Sequence, residues 1–207
     1  ELERNKLNTE LKLKEAELKL LKAQIHPHFL FNTLNNLYGL TLEKSDDAPD
    51  LVLRLSDILD YILYRCNEKR VLLSDELTNL QNYIAIEKLR YSKKLNLETD
   101  LPNETDNLQI APLLLLPFVE NTFKHGVSNN PVAAFIRIKL STRHTAIEFI
   151  IENSKNPTQR QAPNYSKGIG LKNVQKRLEL LYPQKYKLKI DDKEETFSVT
   201  LSLELAE

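Results

Sequence analysis

PFVENTFKHG, Pro117 to Gly126, is the stretch on which the fold turns. Together with the preceding IAPLLLL it reads as one helix, with Pro112 near its start and Gly126 as its stop. Helical spacing puts Pro117, Asn121 and Lys124 on one side. Asn121 offers a neutral amide oxygen, and Lys124 a mobile point charge suited to a phosphate. Taken alone, the same letters fit a surface helix in which Glu120 and Lys124 pair at i,i+4.

The segments on either side sharpen the choice. LNLETDL before the helix alternates as a strand, and after it AAFIRIKLS and AIEFIIEN alternate as two strands joined by TRHT. The polar stretch SKNPTQRQAPNYSK follows as a loop, and GIGLKNVQKRLELLY as a glycine turn opening a helix. Gly168 and Gly170 flank one residue there; glycines let backbone approach a ligand, and a helix start presents free N–H groups to an anion. By itself such a glycine pair is an ordinary turn. YKLKID and TFSVTLSLEL close the chain as strands.

Upstream, to about Lys93, the period is helical. Leu7, Leu11, Leu18, Leu21 and Ile25 form a heptad seam broken by Lys14, expected to pair with a second copy as a parallel coiled coil. A second helix runs from about Pro49 to Cys66 with Leu51, Leu55, Ile58, Leu59, Ile62 and Leu63 on one face. A third covers LSDELTNLQNYIAIEKLRYSKKL, with Ser74 as N-cap and Asp75 and Glu76 in its first turn. The expected fold is therefore all-α dimerisation helices over residues 1–93, followed by an α+β sandwich over 94–207.

In this order, the Asn/Lys helix, paired strands, polar loop and GxGL helix resemble the GHKL ATP-binding domain of gyrase, MutL and the histidine kinases. The resemblance covers about residues 94–207 and implies a Bergerat-type sandwich that binds ATP with Mg²⁺. It implies Asn121 as the Mg²⁺ ligand, and Lys124, His125, Gly168, Gly170 and Leu171 around the nucleotide, with the polar loop as a lid. The Asp that reads the adenine amino group in the family is absent from IIENSKNP. Asn153 takes its position if the strand alternation holds, and Glu152 in the other register. The ATPase members carry a water-activating Glu four residues before the helix asparagine. Pro117 stands there, and Glu120 is about 100° off that line, so phosphoryl transfer to a side chain is favoured over hydrolysis.

The first helix carries the acceptor. QIHPHFLFNTLNN, Gln24 to Asn36, contains Pro27-His28-Phe29-Leu30-Phe31-Asn32 and resembles the phosphoacceptor helix of the PHFLFN branch of sensor histidine kinases. That branch implies bacterial inner-membrane sensors with a cytoplasmic kinase core, paired with response regulators that commonly bear LytTR DNA-binding domains. The motif assigns His28 as phosphoacceptor over His26. The residues agree, because the heptad continues onto His28, Asn32 and Asn35, so polar groups replace the apolar seam. Asn32, one turn from His28, is expected to orient the imidazole or a dephosphorylating water. Phe29 occupies the place where other histidine kinases carry a proton-accepting acid. Pro27 removes a helical bond to Ala23 and is expected to bend the helix before His28. A metal site from His26, His28 and His125 is the lesser alternative, since His26 and His28 diverge on a helix.

Bulk properties set the limits. Basic and acidic residues balance at 29 each, which gives no electrostatic case for direct nucleic-acid binding. The single cysteine excludes an internal disulfide. The chain has no methionine, so a piece of a longer protein is expected, with any membrane segment upstream. Two rival functions remain, a GHKL-type ATPase and a dimeric signalling scaffold without catalysis.

Overall fold

The computed structural model describes residues 27–91, 95–127, 134–155 and 169–205. The heptad from Leu7 to Ile25, His26, the expected lid and Gly168 lie outside these residues. The chain divides into two compact units, Glu1–Asn67 and Glu68–Glu207.

The first unit contains α1 (Pro27–Leu42) and α2 (Asp47–Asp60), the latter running into a π-helical turn at Tyr61–Arg65. α1 is described from Pro27 on; the residues before it, on which the bend expected at Pro27 depends, lie outside the described residues. Between the helices Lys44 takes φ 53°, and the Asp47 N–H donates to Ser45 Oγ at 3.2 Å, starting α2. The period-3.6 repeat of Leu51, Leu55 and Ile58 puts those residues inside. Only Thr33 is buried on α1, its hydroxyl donating to the Phe29 carbonyl at 2.9 Å. Phe31, Leu34, Tyr38 and Leu42 stay exposed along one stripe of α1.

The second unit begins with β1 (Val71–Leu72) and α3 (Leu73–Tyr91). β1 pairs antiparallel with β3 (Gln109–Ile110), and β2 (Leu95–Asp100) lies between them in sequence. Then come α4 (Leu116–Thr122), a π-helical turn at Phe123–Val127, and the hairpin β4 (Ala134–Arg143) and β5 (Ala146–Ser154). α5 (Ile169–Leu181), β6 (Tyr186–Asp192) and β7 (Thr196–Glu204) complete it. The main sheet has the order β2-β4-β5-β7-β6, parallel at β2–β4 and antiparallel elsewhere.

Strand alternation gives the sheet two unlike faces. Ile136, Ile138 and Leu140 of β4, Ile147, Phe149 and Ile151 of β5, and Val199, Leu201 and Leu203 of β7 are buried. Leu114, Leu115, Phe118, Val119 and Phe123 around α4, and Val174 and Leu178 of α5, are buried too. Phe118 meets Phe149 at 6.1 Å between ring centres, which fixes α4 on β5. Each such side chain contributes about 1.5–3 kcal/mol on burial. The other face is wet: Arg137 pairs with Glu98 and Glu152, each at 2.9 Å, and Lys139 with Asp100 at 2.8 Å.

Helices followed by an α+β sandwich is the expected architecture. The compact units divide at Asn67/Glu68, with β1 and α3 in the second. Two details differ from expectation. Ser74 lies inside α3, its carbonyl accepting from the Thr78 hydroxyl at 2.9 Å, so it is no N-cap. The helix expected from Pro112 starts at Leu116, with Pro117 in its first turn, because residues before it form β3 and a turn in which Leu113 has φ 52°.

Candidate functional site

His28 sits exposed in the first turn of α1. Four-residue spacing brings Asn32 to it: Asn32 Nδ2 lies 3.1 Å from His28 Nδ1 and 3.4 Å from Nε2. An amide N–H donated to Nδ1 leaves the ring proton on Nε2. Turned over, the same amide accepts from Nδ1–H and leaves the Nε2 lone pair open. The donor and acceptor roles in this pair follow the imidazole tautomer. His26 lies outside the described residues.

The second group lies wholly within the sandwich unit. α4 presents Asn121, half-buried, and the turn after it presents Lys124, exposed. The turn continues to Gly126, where backbone meets β5: a Cβ on Gly126 would stand 2.9 Å from both Cβ and Nδ2 of Asn153. Only glycine permits that approach. Asn153 is 1% exposed and on the inward row of β5, following Ile147, Phe149 and Ile151. It is the one polar member of that row. Its Nδ2 donates to the Ser154 carbonyl at 2.8 Å. Glu152 points to the wet face and is held by Arg137 Nη1 at 2.9 Å. The strand register thus separates the two acceptor candidates, Asn153 on the helix side and Glu152 on the solvent side.

α5 supplies the remaining backbone. Gly170 is in its first turn, with Leu171 half-buried just after. Gly168 and the side chain of His125 are outside the described residues.

Behind α4 lies a polar group that sequence reading missed. Glu87 of α3 is 2% exposed. Its Oε2 is 2.7 Å from Arg90 Nη2. Burial nevertheless pushes its carboxyl up to about 7, the Arg90 charge opposing and the Glu120 charge adding to the rise. Tyr83 is raised as well, first by burial and then by Glu87 and Glu120. Phe123 meets the rings of Tyr83 and Tyr91, each at 6.2 Å, so this cluster abuts the turn that carries Lys124.

An adenine nucleotide is compatible with the donor set: a buried amide at Asn153, Gly126 packed against it, a half-buried amide at Asn121 and an exposed lysine, Lys124, just after it. The histidine-metal alternative rests on His26 and the His125 side chain, which lie outside the described residues. No cluster of three or more His, Cys, Asp or Glu side chains able to hold a metal occurs among the described residues. Among them no helix is long and apolar enough to cross a membrane.

Residues 16–95 match the family described as histidine kinase. Curated relatives include the sensor histidine kinase BtsS of Escherichia coli, 32% identical over 192 residues, covering 92% of this chain and 34% of the relative. The sensor protein LytS of Oceanobacillus iheyensis is 28% identical over 178 residues, covering 80% and 30%. The chain therefore spans about a third of the length of the curated relatives it matches. Among solved structures, the histidine kinase AdeS of Acinetobacter baumannii aligns over 86% of this chain and 96% of its own, at 13% identity and a TM-score of 0.47.

Proposed function

We propose that this chain, whose residues 16–95 match the histidine kinase family, is the autokinase core of a two-component sensor. It takes the γ-phosphoryl group of ATP onto His28 and passes it to an aspartate of a response regulator. The observation that supports this reading best is the approach of Gly126 to Asn153, which joins the asparagine helix to an inward amide on β5 in a chain that also exposes His28 on a complete PHFLFN motif.

In this reading Asn153 Oδ1 accepts from the adenine amino group, an uncharged replacement for the family aspartate. Asn121 holds Mg²⁺, Lys124 and His125 lie along the phosphates, and the N–H groups around Gly168, Gly170 and Leu171 cap them. The metal, when bound, neutralises charge on the phosphates. The acceptor is a neutral His28 ring nitrogen with its lone pair free, and the Asn32 amide holds the other nitrogen. Catalysis then rests on positioning more than on a strong base. The nucleotide groups of this reading all belong to the compact unit that begins at Glu68.

The PHFLFN motif supports a LytTR-type regulator as partner. A homodimer, a membrane segment upstream and a cytoplasmic location for this core belong to the same proposal. Incubation with γ-labelled ATP and Mg²⁺ tests it. An acid-labile, alkali-stable phosphoprotein is expected, retained in His26→Ala and lost in His28→Ala. Steady hydrolysis without phosphoprotein, or no ATP binding at millimolar concentration, overturns it.

A further inference from the structure

Just ahead of α4, the backbone is held in a conformation it would not choose. Leu113 is buried and has φ 52°, a region that branched side chains rarely adopt. Such a residue persists only where its surroundings impose it.

Here the surroundings are two charged side chains from different helices. Glu76 of α3, 1% exposed, accepts from the Leu113 N–H at 2.8 Å through Oε2 and from the Leu115 N–H at 3.1 Å through Oε1. Arg177 of α5 donates from Nη1 to the Leu113 carbonyl at 3.0 Å and from Nη2 to the Pro112 carbonyl. Leu113 is thus gripped at its N–H by a carboxylate and at its C=O by a guanidinium. The Ala111 N–H donates to the Tyr182 hydroxyl at 2.8 Å, with the Arg70 guanidinium 4.5 Å from the centre of that ring.

The position of this clamp matters more than its strength. Asn121 is about a turn and a half into α4, the helix that follows the gripped turn. Gly170 is two turns before Arg177, on the same α5. A rigid helix leads from each side of the clamp to one group of the proposed nucleotide site.

We propose that Glu76 and Arg177 are positioning residues that set Asn121 relative to the glycine-led start of α5, so that one nucleotide is held by metal and phosphate contacts together. The proposal rests on the nucleotide reading above. The Arg177 fork spans two adjacent carbonyls, a geometry a lysine cannot copy. The two Glu76 oxygens serve two N–H groups, a task a glutamine amide can perform at only one of them.

The test uses the whole chain with a fluorescent ATP analogue, titrated with Mg²⁺ and with EDTA. The parent is expected to bind tighter with Mg²⁺; no binding in either condition defeats the nucleotide reading itself, and equal binding defeats Asn121 as metal ligand. In Arg177→Gln and Glu76→Gln the gain from Mg²⁺ is expected to shrink about tenfold, with binding in EDTA held within about twofold, and Arg177→Lys is expected between. Helical content by circular dichroism identifies the folded fraction, and Leu113→Gly, which tolerates φ 52° unaided, serves as a second variant that keeps both charges. It is expected to keep the Mg²⁺ gain. If the folded Gln variants melt earlier but keep the full gain, the clamp is only structural and the proposal fails.

Discussion

For His28 as the proposed phosphoacceptor, the close neighbour is Asn32. The imidazole is exposed and carries no acid beside it in sequence, and the Asn32 amide nitrogen lies 3.1 Å from its Nδ1. An exposed neutral hydrogen bond is worth about 1 kcal/mol. Asn32→Ala is therefore expected to slow autophosphorylation by roughly fivefold, measured as initial label incorporation, and to leave ATP affinity unchanged. Regulator dephosphorylation should slow in the same variant if Asn32 also orients water. Gly126 is the second residue where a single atom decides. Gly126→Ala would press a methyl onto Asn153 from 2.9 Å, with the strand backbone behind it. Overpacking of that kind costs on the order of 1–3 kcal/mol. A lower melting temperature is expected, together with loss of ATP binding by direct titration. Ser or larger residues should do no better.

At the scale of elements, α3 makes the clearest demand on pH. The carboxyl of Glu87 is raised from the ordinary range to about 7 in the folded chain, chiefly by burial. Between those values the folded state holds a proton that the unfolded state has released. Stability contributed this way is present below the unfolded value and is lost as pH rises toward 7, at no more than about 1.4 kcal/mol per pH unit. Arg90 on the same helix and Glu120 on α4 set how far the rise goes, and Tyr83 shares the cluster. Glu87→Gln is expected to flatten urea-unfolding stability between pH 5 and 7 and to exceed the parent at pH 8. An unchanged slope would show the carboxyl charged throughout. Nothing in the sequence marks Glu87 or Glu76 as buried, because in a helix of mixed letters they read as ordinary solvated acids. What was legible was periodic: the strands β4 to β7 and α5 alternate or repeat strongly enough to be read, and the alternation of β5 puts Asn153 on its buried row and Glu152 on the other. The two-residue strands β1 and β3 carry no period at all, and with them went the true start of α4 at Leu116. The clamp at Leu113 is a tertiary arrangement of residues 37 or more positions apart and has no local signature.

For the whole molecule the question is what covers the helical unit. The order of helices before sandwich followed from the change of period, whereas the assignment of α3 to the sandwich depended on packing that the letters do not encode. α1 leaves Phe31, Tyr38 and Leu42 about two-thirds exposed and Leu34 nearly half, at spacings of three and four that make one stripe, while it buries Thr33 alone. Scattered apolar residues on a surface are ordinary; a continuous stripe on a helix is not. α2 adds Val52 and Leu53, and the turn after it Leu63 and Tyr64. Two helices with apolar surface left over need further helices to complete a core, and a second copy supplying two more gives a four-helix bundle. The chain is therefore expected to sediment as a dimer. Tyr38→Asp together with Leu42→Asp places charge where the partner would pack, an uncompensated burial that a bundle of this size does not absorb. Sedimentation of that variant is expected at the monomer mass at micromolar concentration. Because both substitutions lie in the unit ending at Asn67, ATP affinity of the sandwich unit should stay within about twofold of the parent, a difference worth well under 1 kcal/mol. A variant that remains dimeric would move the interface to residues before Pro27 and leave the stripe for another partner.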